Sequence, residues 1–190
     1  MAEFAPKYTA FFGATAIWLG LDQLSKFVVR QAIPERAEGW SLIPNYLGIT
    51  HAENKGAAFS FLADYEHRML VFLALTIVSA IGLAIGLRLL DSGDRLLAAA
   101  LGVLFSGVMG NAIDRAVAGH VTDMIKVYAG AEPLRSFFIS KYGTNIFPIF
   151  NVADSAIWVG VVGFVLALMR VKDRGEASES SAEGSAPTLE

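Results

Sequence analysis

The sequence predicts an all-α membrane protein, with four transmembrane helices, a small extracytoplasmic β-sheet and a surface amphipathic helix. Three observations carry this. Apolar residues make up 54% of the 190 and charged residues 17%, against about 45–50% and about 25% in ordinary soluble domains. Met69 to Leu87 is a run of 19 residues without a charge, ~28 Å long as a helix and close to the ~30 Å hydrocarbon core of a bilayer. Leu96 to Ile113 is a second run, of 18 residues, with Asn111 as its one strongly polar member and Gly102, Ser106, Gly107 and Gly110 suited to close helix contact.

The other two spans are interrupted. Tyr8 to Val29 carries Asp22 and Lys26 in its second half, and Asn151 to Met169 carries Asp154 near its start. Tyr8 to Leu21, with Lys7 as basic flank, resembles the core of a cleavable signal peptide, but three more spans follow it and no small-x-small site precedes a soluble domain. It is therefore read as the first helix. The spans fall at about 8–29, 69–88, 96–113 and 151–169, within one unit over residues 1–172. Four crossings put both termini on one side and the long loops, 30–68 and 114–150, on the other. Arg88 and Arg95 in the short connection, and Arg170, Lys172 and Arg174 after the last helix, mark the terminal side as cytoplasmic. The eight Lys and Arg of the long loops weigh less in that rule.

In the first long loop, Trp40–Ile43 and Tyr46–His51 read as strands around Pro44-Asn45, with Ala57–Leu62 as a third piece. The second long loop includes Val121–Tyr128. Pro133–Tyr142 fits either an amphipathic surface helix or a loop with buried aromatics. Residues 173–190 hold five of the 18 acids and one Arg, so the net charge of -3 belongs to this stretch, which reads as a disordered acidic tail.

Ionisable groups within a span cost about 2.5–3.5 kcal/mol at the bilayer centre, so their placement is informative. Counted from the cytoplasmic end, Asp22 lies ~21 Å deep, and Asn111 and Asp154 ~22 Å deep. Three helices thus set a polar group at one level, near the outer surface. Lys26 follows Asp22 by four and Arg115 follows Asn111 by four, so each pair shares a face and each cation can reach toward the outer headgroups. Taken singly these are an ordinary acid–base pair and a snorkelling arginine. Together with Asn54, Gly56 and Asp123 from the loops, they converge on one outer pocket.

The absence of cysteine removes disulfides, thiolate metal sites and Cys nucleophiles. His51, His67 and His120 lack zinc-site spacing, and there is no Gly-x-Ser-x-Gly, Walker loop or dinucleotide fingerprint. Neither a metal nor a cofactor is expected, and the charge balance gives no reason to expect nucleic acid. Carboxylates remain. Two held close together share a proton, one acting as base toward water and the other as acid toward a carbonyl. The candidates are Asp22, Asp114, Asp123 and Asp154. Lys26 beside Asp22 and Arg115 beside Asp114 favour charged, structural roles for those two. Taken alone, Asp154 also reads as a helix N-cap and Asp123 as a loop acid.

Asp22-Gln23-Leu24-Ser25-Lys26, Asn54-Lys55-Gly56-Ala57-Ala58-Phe59, Gly110-Asn111-Ala112-Ile113-Asp114-Arg115, Val121-Thr122-Asp123 and Phe150-Asn151-Val152-Ala153-Asp154-Ser155 occur in that order. This series, over about residues 10–170, resembles the motifs of bacterial lipoprotein signal peptidase, or signal peptidase II. The resemblance implies an aspartyl intramembrane peptidase of the inner membrane, acting near the outer leaflet. It would cleave diacylglyceryl-modified prolipoproteins just before the modified cysteine, with Asp123 and Asp154 as the catalytic pair. Asp22, Lys26, Asn54, Gly56, Asn111, Asp114, Arg115, Asn151 and Ala153 match supporting or substrate-contacting positions. Besides substrate, the expected partners are membrane lipids, and the chain is expected to be a monomer. Met124 departs from the aromatic usual after the first acid, and the stretch around Ala129–Gly143 is longer than common. A proton-coupled transporter and a non-catalytic lipid-binding factor are the competing classes, because intramembrane acids also mark ion paths.

Overall fold

A computed structural model describes residues 5–56 and 66–183 of the chain. The expected strand at Ala57–Leu62 lies outside the described residues. Helix α1 (Pro6–Ala32) opens on a proline, whose missing N–H costs no bond in a first turn. It ends at Ile33, held extended by the following Pro34. Helices α2 (Arg68–Leu89) and α3 (Arg95–Ala118), and residues Val152–Val171 of α5 (Val152–Glu183), are long and apolar enough to cross a membrane. At 27 residues α1 is ~40 Å long, but it sets Asp22 and Lys26 within its apolar stretch.

Helix α3 packs against α1, α2 and α5. Its glycines are what allow this. A Cβ on Gly102 would collide with the carbonyl oxygen of Phe11 on α1, and one on Gly107 with that of Ala153 on α5. Backbones approach where side chains are missing, and dispersion contacts take the place of the hydrophobic drive that lipid cannot supply. Phe11, Leu87, Ala98 and Leu101 form the core toward the chain termini. There Lys7 Nζ donates to the carbonyl oxygens of Arg88 (3.1 Å) and Leu90 (2.5 Å), satisfying the end of α2. Helix α2 buries only Phe72 and Leu87 and exposes Leu73, Ile77, Val78, Ile81 and Ile85, a face suited to lipid.

At the opposite end lies an antiparallel sheet in the order β1 (Glu38–Ile43), β2 (Leu47–Asn54), β3 (Val121–Val127). Pro44 followed by Asn45 at φ 68° makes the β1–β2 turn, since asparagine tolerates the left-handed region. Val29 and Ile33 from the end of α1 pack on Met124 of β3, so the methionine fills the apolar position beside Asp123. His51 Nδ1 donates to the carbonyl of Ile33 (2.8 Å), tying β2 to the same helix end. Pro133–Tyr142, read as either helix or loop, forms α4 (Leu134–Tyr142), and no side chain in it is buried.

Of residues 173–190, expected as a disordered tail, 173–183 continue α5 to Glu183, and 184–190 lie outside the described residues. A helix already nucleated needs only propagation, and Glu176, Ala177, Glu179 and Ala182 are residues that propagate well or tolerably. Composition alone does not register that the segment is joined to an existing helix.

Gly107→Ala is expected to lower the thermal midpoint in detergent by several degrees, as forced overpacking costs about 1–3 kcal/mol. Gly82→Ala on α2, where a Cβ meets nothing within 4 Å, is expected to be neutral or mildly stabilising. Scanning fluorimetry of both variants checks this.

Candidate active site

The site is built on a buried ion cluster. The Asp22–Lys26 pair forms as the i,i+4 spacing suggests, but Lys26 does not reach on toward the headgroups, and its side chain is 0% exposed. The reason is that anions reach it within the bundle. Its Nζ lies 2.9 Å from Asp22 Oδ2 on α1 and 3.1 Å from Asp114 Oδ2 on α3, and it donates to Asn111 Oδ1 at 3.3 Å. A buried charge stripped of its partner costs about 3–5 kcal/mol, which is why two carboxylates and an amide converge on one ammonium. Gly110 makes room, since a Cβ there would strike Asp22 Oδ2.

Asp114 reads from the sequence as a charged, structural acid because Arg115 stands beside it. Consecutive helix residues point about 100° apart, and Asp114 instead takes Lys26 together with Arg30, whose Nη1 stands 3.5 Å from Asp114 Oδ1. Arg30 also donates to Thr122 Oγ1 (3.2 Å), and the Thr122 backbone N–H donates to Asp114 Oδ2 (3.0 Å). Arg30 and Thr122 were not singled out from the sequence. Arg30 was findable, because it continues the Asp22, Lys26 face at i+8; Thr122 carried no such signal. Their contacts fix the start of β3, and Asp123 is the next residue.

Asp123 and Asp154 arrive from different elements. Asp123 pairs with Ala52 across the β2–β3 ladder, which puts its side chain on the face that carries Asn54 two residues further along. Asn54 Nδ2 donates to Asp123 Oδ2 at 3.0 Å. Beyond β3, the backbone of Phe150 accepts the N–H groups of Met124 and Ile125 (3.0 and 2.7 Å) and brings Asn151 alongside. Asn151 then starts α5 with a reciprocal cap. Its Oδ1 accepts the Asp154 N–H (2.9 Å) and its own N–H donates to Asp154 Oδ2 (3.2 Å). Asp154 is therefore the third residue of α5 and not its N-cap.

Asn151 Nδ2 meanwhile donates to Asp123 Oδ1 (2.7 Å) and to Asn111 Oδ1 (3.1 Å), and Asn111 Nδ2 donates to Asp154 Oδ1 (2.8 Å). One buried asparagine thus bridges the two acids. Asp22 completes the frame by accepting the Ala153 N–H (2.8 Å), an anion set at the positive end of α5. Nearby, Arg115 Nη2 donates to the Gly56 carbonyl (3.3 Å) and its guanidinium lies 4.1 Å from the centre of the Phe72 ring. Asn54 Oδ1 accepts the Gly56 N–H at 3.0 Å. Every residue singled out from the sequence therefore joins one hydrogen-bonded and ionic assembly.

Burial pushes the Asp123 carboxyl up from its ordinary 3.8 to about 6. The hydrogen bonds from Asn54 and Asn151 and the charge of Lys26 work against this, and the nearby Asp154 charge adds to it. An acid held in this range exchanges its proton near neutral pH, as proton-transfer chemistry needs.

Fold and site together define a helical membrane protein that gathers its acids and amides at one end of the bundle, against a small sheet. A family profile described as signal peptidase (SPase) II matches residues 14–170. Lipoprotein signal peptidase of Geobacter metallireducens is 38% identical over 176 residues, covering 93% of this chain and 99% of that one. The Pseudomonas aeruginosa enzyme (strain UCBPP-PA14) is 41% identical over 166 residues, covering 86% and 90%. A bacterial membrane enzyme solved in meso at 2.3 Å superposes with TM-score 0.69 at 27% identity, covering 86% of this chain and 90% of that one. The chain belongs to the signal peptidase II family, and so to the bacterial membrane peptidases.

Between pH about 4 and 6 the folded protein holds on Asp123 a proton that the unfolded chain releases. The stability this contributes is full below the unfolded value, is lost as pH rises through about 6, and is flat above that. Asp123→Asn removes the term. The thermal midpoint of the wild type minus that of the variant is expected to decline across this window, as melts in detergent at stepped pH will show.

Proposed function

We propose that this chain removes signal peptides from prolipoproteins, cutting before a diacylglyceryl-modified cysteine, with Asp123 and Asp154 as an aspartyl pair. The observation that carries the pair is the Asn151 bridge, which donates to Asp123 while boxing Asp154. The names of the relatives, lipoprotein signal peptidases, support the substrate class.

In this mechanism the two acids share one proton between them. The ionised carboxylate takes a proton from water as the oxygen bonds to the scissile carbonyl carbon, while the protonated partner donates to the carbonyl oxygen. In the resulting tetrahedral diol the C–N bond breaks as the leaving amine takes a proton from one acid and a diol hydroxyl returns one to the other, so the carboxylic acid product departs and the pair again holds one proton. No covalent enzyme intermediate forms. Asn54, Asn111 and Asn151 keep the carboxylates aimed. Lys26, Asp22, Asp114 and the Ala153 N–H hold the frame, and Arg115 with Gly56 holds the β2 loop end beside the site.

We further propose four crossings, with both termini cytoplasmic and the pair near the outer leaflet. Helix α1 qualifies because Asp22 and Lys26 neutralise each other within the bundle and show lipid no charge. Arg88, Arg95 and Arg170 support the orientation. A pair at this level meets both the water it consumes and a substrate anchored by acyl chains.

Purified protein incubated with a diacylglyceryl-modified prolipoprotein is expected to release the signal peptide. Asp123→Asn and Asp154→Asn should each cut the rate by roughly 10²–10⁴-fold, and undiminished cleavage in both rejects the pair. The chain has no native cysteine, so Ser140→Cys gives a single handle for topology. An impermeant thiol reagent is expected to label it on intact spheroplasts, and labelling only after lysis reverses the orientation.

A further inference from the structure

The segment between β3 and α5 contains an element that the proposed chemistry does not use. Residues 130–144 form a closed excursion. At its base the Ala129 N–H donates to the Asn145 carbonyl (2.8 Å) and Asn145 Nδ2 donates back to the Ala129 carbonyl (2.9 Å). Tyr128 and Ile146 pair just beneath. The excursion carries α4, whose Leu134, Phe137, Phe138 and Tyr142 recur at helical spacing and share a face, with Ile139 beside them. All five are exposed, at 37% or more. Ser136 and Ser140 share the opposite face.

We propose that α4 is an interfacial arm whose aromatic face seats in the headgroup and acyl boundary of the bilayer. Three further observations select lipid as the occupant. First, Lys126, Arg135 and Lys141 stand against Glu132 alone in residues 126–143, and bacterial phospholipid surfaces are anionic or zwitterionic. Second, Lys141 extends along the aromatic face, with its Nζ 5.6 Å from the Phe137 ring centre and 5.4 Å from that of Tyr142. A cation on an aromatic stem is the form side chains take at a membrane surface.

Third, the apolar face continues into surfaces already placed at the membrane. Phe147 is exposed and precedes Val152, where α5 enters its apolar span, by five residues, a reach of at most ~18 Å. On the other side of the arm's base, the Gly130 N–H donates to the Asn45 carbonyl (2.7 Å) and the Tyr128 N–H to the Tyr46 carbonyl (2.9 Å). The turn reached in this way sits among exposed Trp40, Leu42, Ile43 and Tyr46. The arm, its base and the hairpin form one aromatic rim around the end of the bundle that holds Asp123. It holds the sheet against the lipid surface on the side where an acyl-anchored substrate must arrive.

This inference rests on the membrane placement of the bundle and is independent of the aspartyl pair. Its test uses the cysteine-free chain. Nitroxide labels are placed at Phe138→Cys, Ser136→Cys and, as control, Val78→Cys on the exposed face of α2. The full chain is reconstituted in vesicles of phosphatidylethanolamine and phosphatidylglycerol, and spin relaxation is measured with oxygen and with a water-soluble nickel chelate. The label at 138 is expected to collide with oxygen severalfold more than with nickel, and the label at 136 to show the reverse. Equal nickel access at both means that the arm projects into water, and overturns the proposal. So does spin–spin broadening at 138, which would assign the face to a second copy, or protection that appears only on adding prolipoprotein, which would assign it to substrate. A nickel-accessible label at 78 would instead reject the membrane placement itself, and the arm's seat with it.

Discussion

An ammonium group buried among apolar helices must find anions, and in this molecule the need of Lys26 organises nearly everything else. Its two carboxylates come from different helices, so the ion cluster locks α1 to α3. Each carboxylate then uses its spare acceptor capacity outward. Asp22 reaches the first turn of α5 through the Ala153 N–H, and Asp114 reaches the start of β3 through the Thr122 N–H. The acids beside these two anchor points are Asp154 and Asp123. Electrostatic satisfaction of one lysine thereby sets the position of both members of the pair.

The same arrangement explains the distribution of small residues. Helix α3 lies between partners that must come within reach of short aspartate side chains, and glycine supplies the clearance at Gly102, Gly107 and Gly110. At Gly110 the vacated volume is occupied by an Asp22 oxygen, so that helix packing and charge pairing are one constraint there. The amides follow a related logic. Asn54, Asn111 and Asn151 each donate to a carboxylate, and Asn111 and Asn151 also link to each other. Such a network holds two acids close together without neutralising either.

Much of this was legible in the sequence, for identifiable reasons. Charges are scarce in an apolar chain, so counting depth along each helix already put Asp22, Asn111 and Asp154 at one level, and hydrogen bonds join all three to one network. The uncharged runs gave α2 and α3, and Pro44-Asn45 gave the hairpin. The tertiary partners were not legible. Local spacing gave the Asp22–Lys26 pair but not Asp114 as the second anion of Lys26, because sequence shows the neighbours along a helix and hides the helix opposite. Thr122 was missed because both its contacts, a backbone N–H on Asp114 and a hydroxyl that accepts from Arg30, are made with helices it does not belong to. Asn151 was marked only as a supporting position, although it is the bridge. The length of α5 was missed because composition carries no memory of an adjoining helix.

The Asn151 bridge also bears on when the site comes into being. Asp123 sits ahead of α5, whereas Asp154 and the asparagine that joins it to Asp123 follow about thirty residues later in the chain. Until the final helix is inserted and docked on Asp22, the chain holds one isolated aspartate and an unfinished frame. A copy in which α5 has not docked lacks the Asn151 bridge, and with it the arrangement on which the proposed chemistry depends.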